Sequence, residues 1–234
     1  MFSIVVPARN EEKILGETVF HIREEAGKIG EFEIIIVEES SDKTPEIASS
    51  LARKYPEIKH VHNLVRLGKG GAIERGVLES KGDKIVFMDA DLSTELSALP
   101  SIISGLDSFD VVVGSRFHPQ SVVRRPFYRI FLGYTLALLA RLLVGVQVKD
   151  TQCGFKGFRR DVITTVMTFV KNKEWFWDIE MLYYANKFGY RIHETPVVWT
   201  ECRKNEYRLI QNIFSQFNNL IKLFLRENVV SKKR

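Results

Sequence analysis

Short, almost wholly apolar runs alternate along the chain with longer stretches in which apolar residues recur every three or four positions. Ser3-Ile4-Val5-Val6-Pro7 is the first such run, and after Asn10-Glu11-Glu12 the positions Ile14, Leu15, Val19 and Ile22 follow helical spacing. The unit then recurs. Glu33 to Val37 reads as a buried strand ending in the polar Glu38-Glu39-Ser40-Ser41-Asp42, and Pro45 to Tyr55 as the next helix. A third strand is expected near Lys59-His60-Val61, followed by Gly68-Lys69-Gly70-Gly71 and a helix through Ala72 to Ser80. Lys84 to Met88 forms a fourth strand that runs directly into Asp89-Ala90-Asp91, and Asp110 to Gly114 forms another. Strands this apolar, alternating with helices, predict an α/β domain whose mostly parallel sheet is covered by helices on both faces. Ligands of such sheets collect beyond the carboxyl ends of the strands, where acids and glycines are delivered here.

The pattern changes after Gly114. Pro126 to Val146 is apolar and aromatic with helical character, interrupted by Arg129 and Arg141. Its longest apolar stretch, Ile130 to Ala140, falls short of the ~20 residues that span a bilayer, so membrane contact is expected to be peripheral. From Asp150 to Trp199 the chain returns to loops, with a helix around Glu180 to Lys187 and a final strand at Pro196 to Trp199. Tyr207 to Leu225 reads as an amphipathic helix with Ile210, Ile213, Phe214, Phe217, Ile221 and Phe224 on one side. The expected organisation is one folded domain over residues 1–200, including an amphipathic segment at 126–148, and a C-terminal helix and basic tail over 201–234.

Composition fits one large domain: of 234 residues, 45% are hydrophobic, enough to fill a single core. The 34 Lys and Arg against 29 Asp and Glu make the chain mildly basic, with basic residues gathered at Arg116–Arg129, Arg203–Arg208 and Ser231–Arg234. Such patches suit anionic partners. Two cysteines, Cys153 and Cys202, cannot build a metal framework and have no redox spacing, which fits a reducing, cytosol-facing location. No basic segment precedes an apolar core at the N-terminus, so no cleaved signal is expected.

Several residues could carry chemistry. Asp89 and Asp91, two apart at a strand end, point the same way if the chain stays extended, and could share Mg²⁺ or Mn²⁺; one could equally cap a helix begun at Ser93-Thr94-Glu95. Glu38 and Glu39 could accept hydrogen bonds from a base or sugar, or be ordinary loop acids. Gly68-Lys69-Gly70-Gly71 suits a diphosphate at a helix N-terminus but matches neither a Walker loop nor a dinucleotide fingerprint. Arg116, Arg124, Arg125 and Arg129 flank apolar residues, as a phosphate on a hydrocarbon chain would require, although arginines beside a core helix read the same way. Asp178 and Glu180 follow Trp175-Phe176-Trp177 and could face a sugar or act as a base, or one could cap its helix.

Taken in order, these segments resemble glycosyltransferase family 2, and within it the enzymes that charge dolichyl or other polyprenyl phosphates with one sugar. The resemblance rests on Val5-Val6-Pro7-Ala8-Arg9-Asn10-Glu11-Glu12, Val37 to Thr44, Gly68 to Ala72, Asp89 to Ser93 and Gly114-Ser115-Arg116. It continues through Asp150-Thr151-Gln152-Cys153-Gly154-Phe155-Lys156, a run similar to the glucose-transferring branch, and Trp177 to Glu180. It covers roughly residues 1 to 200 and implies a GT-A, Rossmann-like fold and an inverting, metal-dependent transferase. The implied donor is a nucleotide-diphosphate sugar, UDP-glucose first and GDP-mannose as the alternative. The implied acceptor is polyprenyl phosphate at the cytoplasmic face of a membrane; a hydroxyl acceptor is the rival, and a homo-oligomer could use the same apolar surfaces. No nucleic acid is implied as partner. Pro7, Arg9, Glu11, Glu39 and Lys69 would line the nucleotide pocket. Asp89, Asp91 and Ser93 would hold the metal and diphosphate, Arg116 and Arg129 the acceptor phosphate. Asp150, Gln152, Asp178 and Glu180 would surround the sugar. The chain departs from the family at Glu38 and Glu39, where aspartates are usual, at Ser93, where glutamine is frequent, and at Cys202-Arg203-Lys204-Asn205, where the glucose-transferring branch has Gly-Ser-Lys.

Overall fold

The computed structural model describes residues 1–201 and 206–230. Cys202-Arg203-Lys204-Asn205 and the basic tail Ser231–Arg234 lie outside the described residues. The strands are β1 (Phe2–Ala8), β2 (Phe32–Glu38), β3 (Ile58–His62), β4 (Lys84–Phe87), β5 (Val111–Ser115), β6 (Val122–Arg124), β7 (Lys156–Arg159), β8 (Ile192–Pro196) and β9 (Val198–Thr200). The helices are α1 (Leu15–Gly27), α2 (Thr44–Lys54), α3 (Gly68–Glu79), α4 (Leu99–Gly105), α5 (Phe127–Val144), α6 (Arg160–Val166), α7 (Trp177–Lys187) and α8 (Glu206–Leu225), the last followed by a short π-helical turn, Arg226–Val230.

The predicted α/β architecture is present: a seven-stranded sheet in the order β3-β2-β1-β4-β7-β5-β8, and a two-stranded sheet of β6 and β9. Strands β3, β2, β1 and β4 are mutually parallel, as strands linked by helices must be. Ile4, Val5, Val6 and Ile34 to Val37 are wholly buried because helices cover both faces. Strand β7 alone runs antiparallel, between β4 and β5. The sequence pattern does not announce β7, because Lys156-Gly157-Phe158-Arg159 carries no apolar run. Its glycine lets Ile102 of α4 pack close, since a Cβ at Gly157 would stand 2.5 Å from Ile102 Cγ2.

Helix α5 is longer than the stretch from Ile130 to Ala140 suggests, because Phe127, Tyr128 and Leu142 to Val144 extend it. It ends at Gly145, whose φ of 77° places it in the left-handed region that closes helices. With 18 residues and a mean hydropathy of 1.6, α5 is long and apolar enough to cross a membrane by those measures. Leu136, Ala137 and Ala140 are nonetheless buried, Leu136 and Ala140 in one cluster with Leu220 and Leu223 of α8. The opposite side of α5 exposes Phe127 (80%), Phe131 (60%), Tyr134, Leu138 and Leu142 (71%) at helical spacing. Helix α8 likewise buries Gln216, Leu220 and Leu223 and exposes Phe214, Phe217, Ile221 and Leu225. The apolar side expected for α8 therefore faces outward where its side chains are described; those of Ile210 and Ile213 lie outside the described residues.

Helix α3 is seated by glycine. A Cβ at Gly76 would lie 2.3 Å from Val5 Cγ1, so only glycine lets α3 approach β1 this closely, whereas Gly16 in α1 has open space around it. Gly76→Ala is expected to destabilise the fold by about 1–3 kcal/mol through overpacking. Gly16→Ala is expected to stabilise it by roughly 0.5–1 kcal/mol through helix propensity. Urea unfolding of both variants beside the parent checks the opposite signs.

Candidate active site

The carboxyl ends of β1, β2 and β4 and the N-terminus of α3 meet at one edge of the sheet. Asn10, with φ of 58° in the left-handed region that asparagine tolerates, turns the chain after β1. Its N–H donates to Ser40 Oγ at 3.0 Å, and its Oδ1 accepts from the Ser41 N–H at 2.9 Å. The Glu11 N–H donates to Thr44 Oγ1 at 2.8 Å and the Glu12 N–H to Asp42 Oδ2 at 3.2 Å, so the loops after β1 and β2 are stitched into one surface. Glu39 accepts from the Leu67 N–H, just before α3, and lies 4.0 Å from Arg9. Pro7, Arg9, Glu11, Glu39 and Lys69 thus come to a common edge.

Beneath it lies a row of alternating charges. Lys69 Nζ is 2.8 Å from Asp89 Oδ1 and 3.9 Å from Asp178 Oδ2. Lys156, wholly buried on β7, is 2.5 Å from Asp178 Oδ1 and donates also to the Cys153 carbonyl. Burial alone would lower the pKa of Lys69; Asp89 and Asp178 more than reverse that and hold the ammonium charged. Gly154 is the close contact on the far side of Asp89: a Cβ there would stand 1.8 Å from Asp89 Oδ2. The extended geometry imagined for Asp89-Ala90-Asp91 does not persist. Strand β4 stops at Phe87, and the chain turns through Leu92 with φ of 49°, a strained value for leucine. Asp91 Oδ1 accepts from the Ser93 N–H at 3.0 Å, Thr18 Oγ1 donates to the Ala90 carbonyl at 2.7 Å, and the Thr200 N–H donates to the Ser93 carbonyl at 2.8 Å. Both aspartates stay partly exposed while Ser93 is buried. Two carboxylates at a solvent edge suit a hard cation that completes its shell with water and phosphate oxygens.

A second group of charges lies toward α5. Asp150, buried, accepts from the Arg116 N–H (2.8 Å), Nε (2.7 Å) and Nη2 (2.8 Å), and from the Gln152 and Cys153 N–H groups at 3.1 Å each. Burial would raise the pKa of Asp150, but Arg116 pulls it below the ordinary carboxylate range. Both oxygens of Asp150, which the resemblance would place around a sugar, are engaged inside the protein, where they hold Arg116. Arg129 is also buried; it donates to Glu201 through Nη1 and to the Tyr128 hydroxyl through Nε at 3.1 Å. The guanidinium carbons of Arg116 and Arg125 stand 5.5 and 5.1 Å from the centre of the Trp199 ring. Arg125 Nε is buried and has no hydrogen-bond partner among the described residues, the Glu201 carboxylate being 3.9 Å away. Burial, then the charge of Arg116, pushes the pKa of Arg125 down to about 10.

Asp178 and Glu180 do not share a site. Two positions apart on α7, they point to opposite sides of the helix. Glu180 accepts from the Lys171 and Asn172 N–H groups at 3.1 and 2.7 Å and from Arg226, fastening α7 to its preceding loop and to the C-terminal turn. Trp177 and Phe176 are core, and Trp175 is exposed, its ring centre 4.9 Å from Lys69 Nζ. Lys156, Arg125 and Trp199 are the members that residue-by-residue reading underrates. Lys156 was visible only as part of the Asp150–Lys156 run, and Arg125 only as one of four arginines.

Because Lys156 is a buried counterion, Lys156→Met should lower stability by roughly 3–5 kcal/mol, leaving Asp178 short of its partner in a buried site. Adding Asp178→Asn to that variant should restore part of the loss. A double-mutant cycle by chemical denaturation measures the coupling, and purely additive losses would contradict it.

Residues 3–167 match the model of glycosyl transferase family 2. The chain is 34% identical over 226 residues to the glycosyltransferase AglD of Haloferax volcanii, covering 94% of this chain and 36% of that protein, so it spans about a third of that relative's length. It is 34% identical over 241 residues to dolichyl-phosphate β-glucosyltransferase ALG5A of Trichomonas vaginalis (97% of this chain, 74% of that one). It is likewise 34% identical over 217 residues to human dolichyl-phosphate β-glucosyltransferase (85% and 67%). The fold matches glucosyl-3-phosphoglycerate synthase of Mycobacterium tuberculosis, solved with Mn²⁺, UDP and glucosyl-3-phosphoglycerate, with a TM-score of 0.70 at 20% identity over 96% of this chain and 79% of that one. The sheet with its one antiparallel strand is thus the GT-A fold, and the chain belongs to glycosyl transferase family 2.

Proposed function

We propose that this chain transfers one hexosyl unit from a nucleotide-diphosphate sugar, UDP-glucose, to dolichyl or another polyprenyl phosphate at the cytoplasmic face of a membrane, with inversion. The observation that carries this reading is Arg125, half-buried in an arginine cluster at the start of α5, whose buried Nε has no hydrogen-bond partner among the described residues; the outer side of α5 is apolar and exposed. An anion there would supply the hydrogen-bond partner that Arg125 Nε lacks, and a hydrocarbon chain attached to it would follow α5. The glucose donor and dolichyl-phosphate acceptor are supported by the names of relatives 34% identical to this chain.

In this reading Pro7, Arg9, Glu11 and Glu39 line the nucleotide, and Lys69 meets the diphosphate. Asp89 and Asp91, with Ser93 beneath, would hold Mg²⁺ or Mn²⁺, which when bound neutralises charge on the leaving diphosphate. Arg116, Arg125 and Arg129 orient the acceptor phosphate, with Asp150 fixing Arg116. A phosphate oxygen of the acceptor forms the new bond to the anomeric carbon from the face opposite the departing diphosphate, whose C–O bond breaks with its electron pair. A phosphate monoester, with a second pKa near ~6, is already largely anionic at neutral pH, so no residue need take a proton from it. Asp178, with one oxygen on Lys156 and the other facing Lys69, would lie beside the sugar. A hydroxyl acceptor would instead need a general base. Gln152, whose N–H donates to Asp150, would lie on the sugar side.

The apolar sides of α5 and α8 would rest in the lipid interface. The same surfaces could instead meet in a homo-oligomer. Flotation with anionic liposomes separates the two: the parent should float, and Phe131→Ser/Leu142→Ser should stay largely in solution, while an oligomer would remain at the bottom of the gradient with or without lipid.

For the donor, a screen of UDP-glucose, UDP-N-acetylglucosamine and GDP-mannose against polyprenyl phosphate is expected to select UDP-glucose. Asp91→Ala should abolish transfer while leaving the melting curve intact; normal turnover would overturn the metal assignment. Arg125→Gln should raise KM for the lipid phosphate by roughly tenfold or more, as loss of a charge-assisted hydrogen bond predicts, with little change in KM for the donor.

A further inference from the structure

Away from the carboxylate pair, the ends of β2 and β3 hold a second set of metal-ligating groups. Glu38 and His62 face each other across the parallel ladder, and His60 lies two residues before His62 on the same face of β3. Glu38 Oε1 is 3.0 Å from His60 Nε2 and 2.5 Å from His62 Nδ1. One ligand atom from each of the three residues can be chosen so that all lie within 4.8 Å of one another, and among the described residues this is the trio of His, Cys, Asp and Glu so arranged.

We propose that Glu38, His60 and His62 form a binding site for a borderline divalent transition ion of the Zn²⁺ type, separate from the Asp89 and Asp91 edge. Three features of the cluster point to an ion. Glu38 is wholly buried, yet two imidazoles converge on a single one of its oxygens. Its other oxygen, Oε2, accepts from the Ser40 N–H at 2.9 Å, which fixes the carboxylate so that Oε1 is the one presented, as an outer-shell donor does for a ligating carboxylate. Finally, tetrahedral bonds of about 2.0–2.1 Å set ligand atoms roughly 3.3 Å apart, so His60 and His62, now 3.0 and 2.5 Å from Glu38 Oε1, would exchange these hydrogen bonds for bonds to an ion by moving apart from it by under about 1 Å.

The donor set selects the ion. Two imidazole nitrogens and one carboxylate oxygen favour Zn²⁺, Co²⁺ or Ni²⁺, whereas Mg²⁺ prefers an all-oxygen shell such as the aspartates offer. The side chain of His62 is 42% exposed and that of His60 15%, so the site opens to solvent on the His62 side and leaves room for a fourth ligand. An ion there would fasten the edge strand β3 to β2 directly behind Glu39.

The full chain, dialysed against chelator and then saturated with Mg²⁺ to fill the carboxylate edge, is titrated with Co²⁺ while visible d–d absorption is recorded. The expected result is one saturable site, displaced by Zn²⁺, with a Kd below about 10 µM, and a rise in Tm of roughly 5–10 °C at ~100 Kd of Zn²⁺. His60→Ala/His62→Ala should weaken Co²⁺ binding by about 100-fold or more. His62→Ala alone, at a half-exposed edge position, should weaken it by roughly tenfold while melting like the parent in chelator, which separates loss of the site from loss of the fold. Absence of binding by the parent, or equal binding by the single and double variants and the parent, would overturn the site and leave a plain hydrogen-bonded cluster. None of these readouts depends on transferase activity.

Discussion

Two ammonium groups and two carboxylates, Asp89, Lys69, Asp178 and Lys156, alternate in a row that passes from the solvent edge into the core. Each comes from a different element: the end of β4, the first turn of α3, the first turn of α7, and β7. None of the inner three could sit charged in so dry a place alone, because removing an unpaired ion from water costs several kcal/mol. Together they fix the spacing of four elements that have no backbone ladder in common apart from the β4–β7 pair. The antiparallel strand is explained by the same constraint. Entering the sheet between β4 and β5 is what carries the Lys156 ammonium under Asp178 and brings Gly154 against Asp89, so the loop from Asp150 to Phe155 closes one wall of the site.

That loop also joins the two halves of the site. Asp150 takes Arg116 in a two-point contact and the N–H groups of Gln152 and Cys153, so the wall beside Asp89 and the base of the arginine cluster share one carboxylate. A displacement of the loop would move both. Arg116 and Arg125 then flank Trp199, on a strand whose neighbour Thr200 binds the Ser93 carbonyl. The turn through Asp91 is therefore tied to the same strand that carries the aromatic platform. Donor edge and arginine cluster are coupled through backbone hydrogen bonds and a rigid indole, and need no flexible linker between them.

Much of this architecture is legible in the sequence because it is written in periodicity. The buried parallel strands β1, β2 and β4 are nearly continuous apolar runs, and α5 and α8 show helical spacing. What the sequence does not disclose is written in long-range electrostatics. Lys156-Gly157-Phe158-Arg159 has the composition of a loop, yet its lysine is buried beside an acid 22 residues away. Glu180 looks like a partner of Asp178 until the helix turns them apart. Asp150 gives no sign in the sequence of its two-point contact with Arg116. In each case the residue type allows several partners, and only the fold chooses among them. Ordered motifs carry the family assignment past this ambiguity, because several weak signals in a fixed order constrain the topology that brings them together.

The two aspartates where β4 ends gain their meaning from what lies opposite. Lys69 already compensates Asp89, and the carboxylates of Asp178 and Asp150 are spoken for by lysines and an arginine. Negative charge that arrives with a diphosphate would meet Lys69 on one side and a cation held by Asp91 on the other, while negative charge that arrives with an acceptor would meet Arg125. In the proposed reading the site receives two anions rather than an anion and a neutral alcohol. A neutral acceptor would leave Arg125 Nε without a hydrogen-bond partner. A phosphate acceptor, as proposed, would supply that partner, and its hydrocarbon chain would lie along the exposed apolar side of α5.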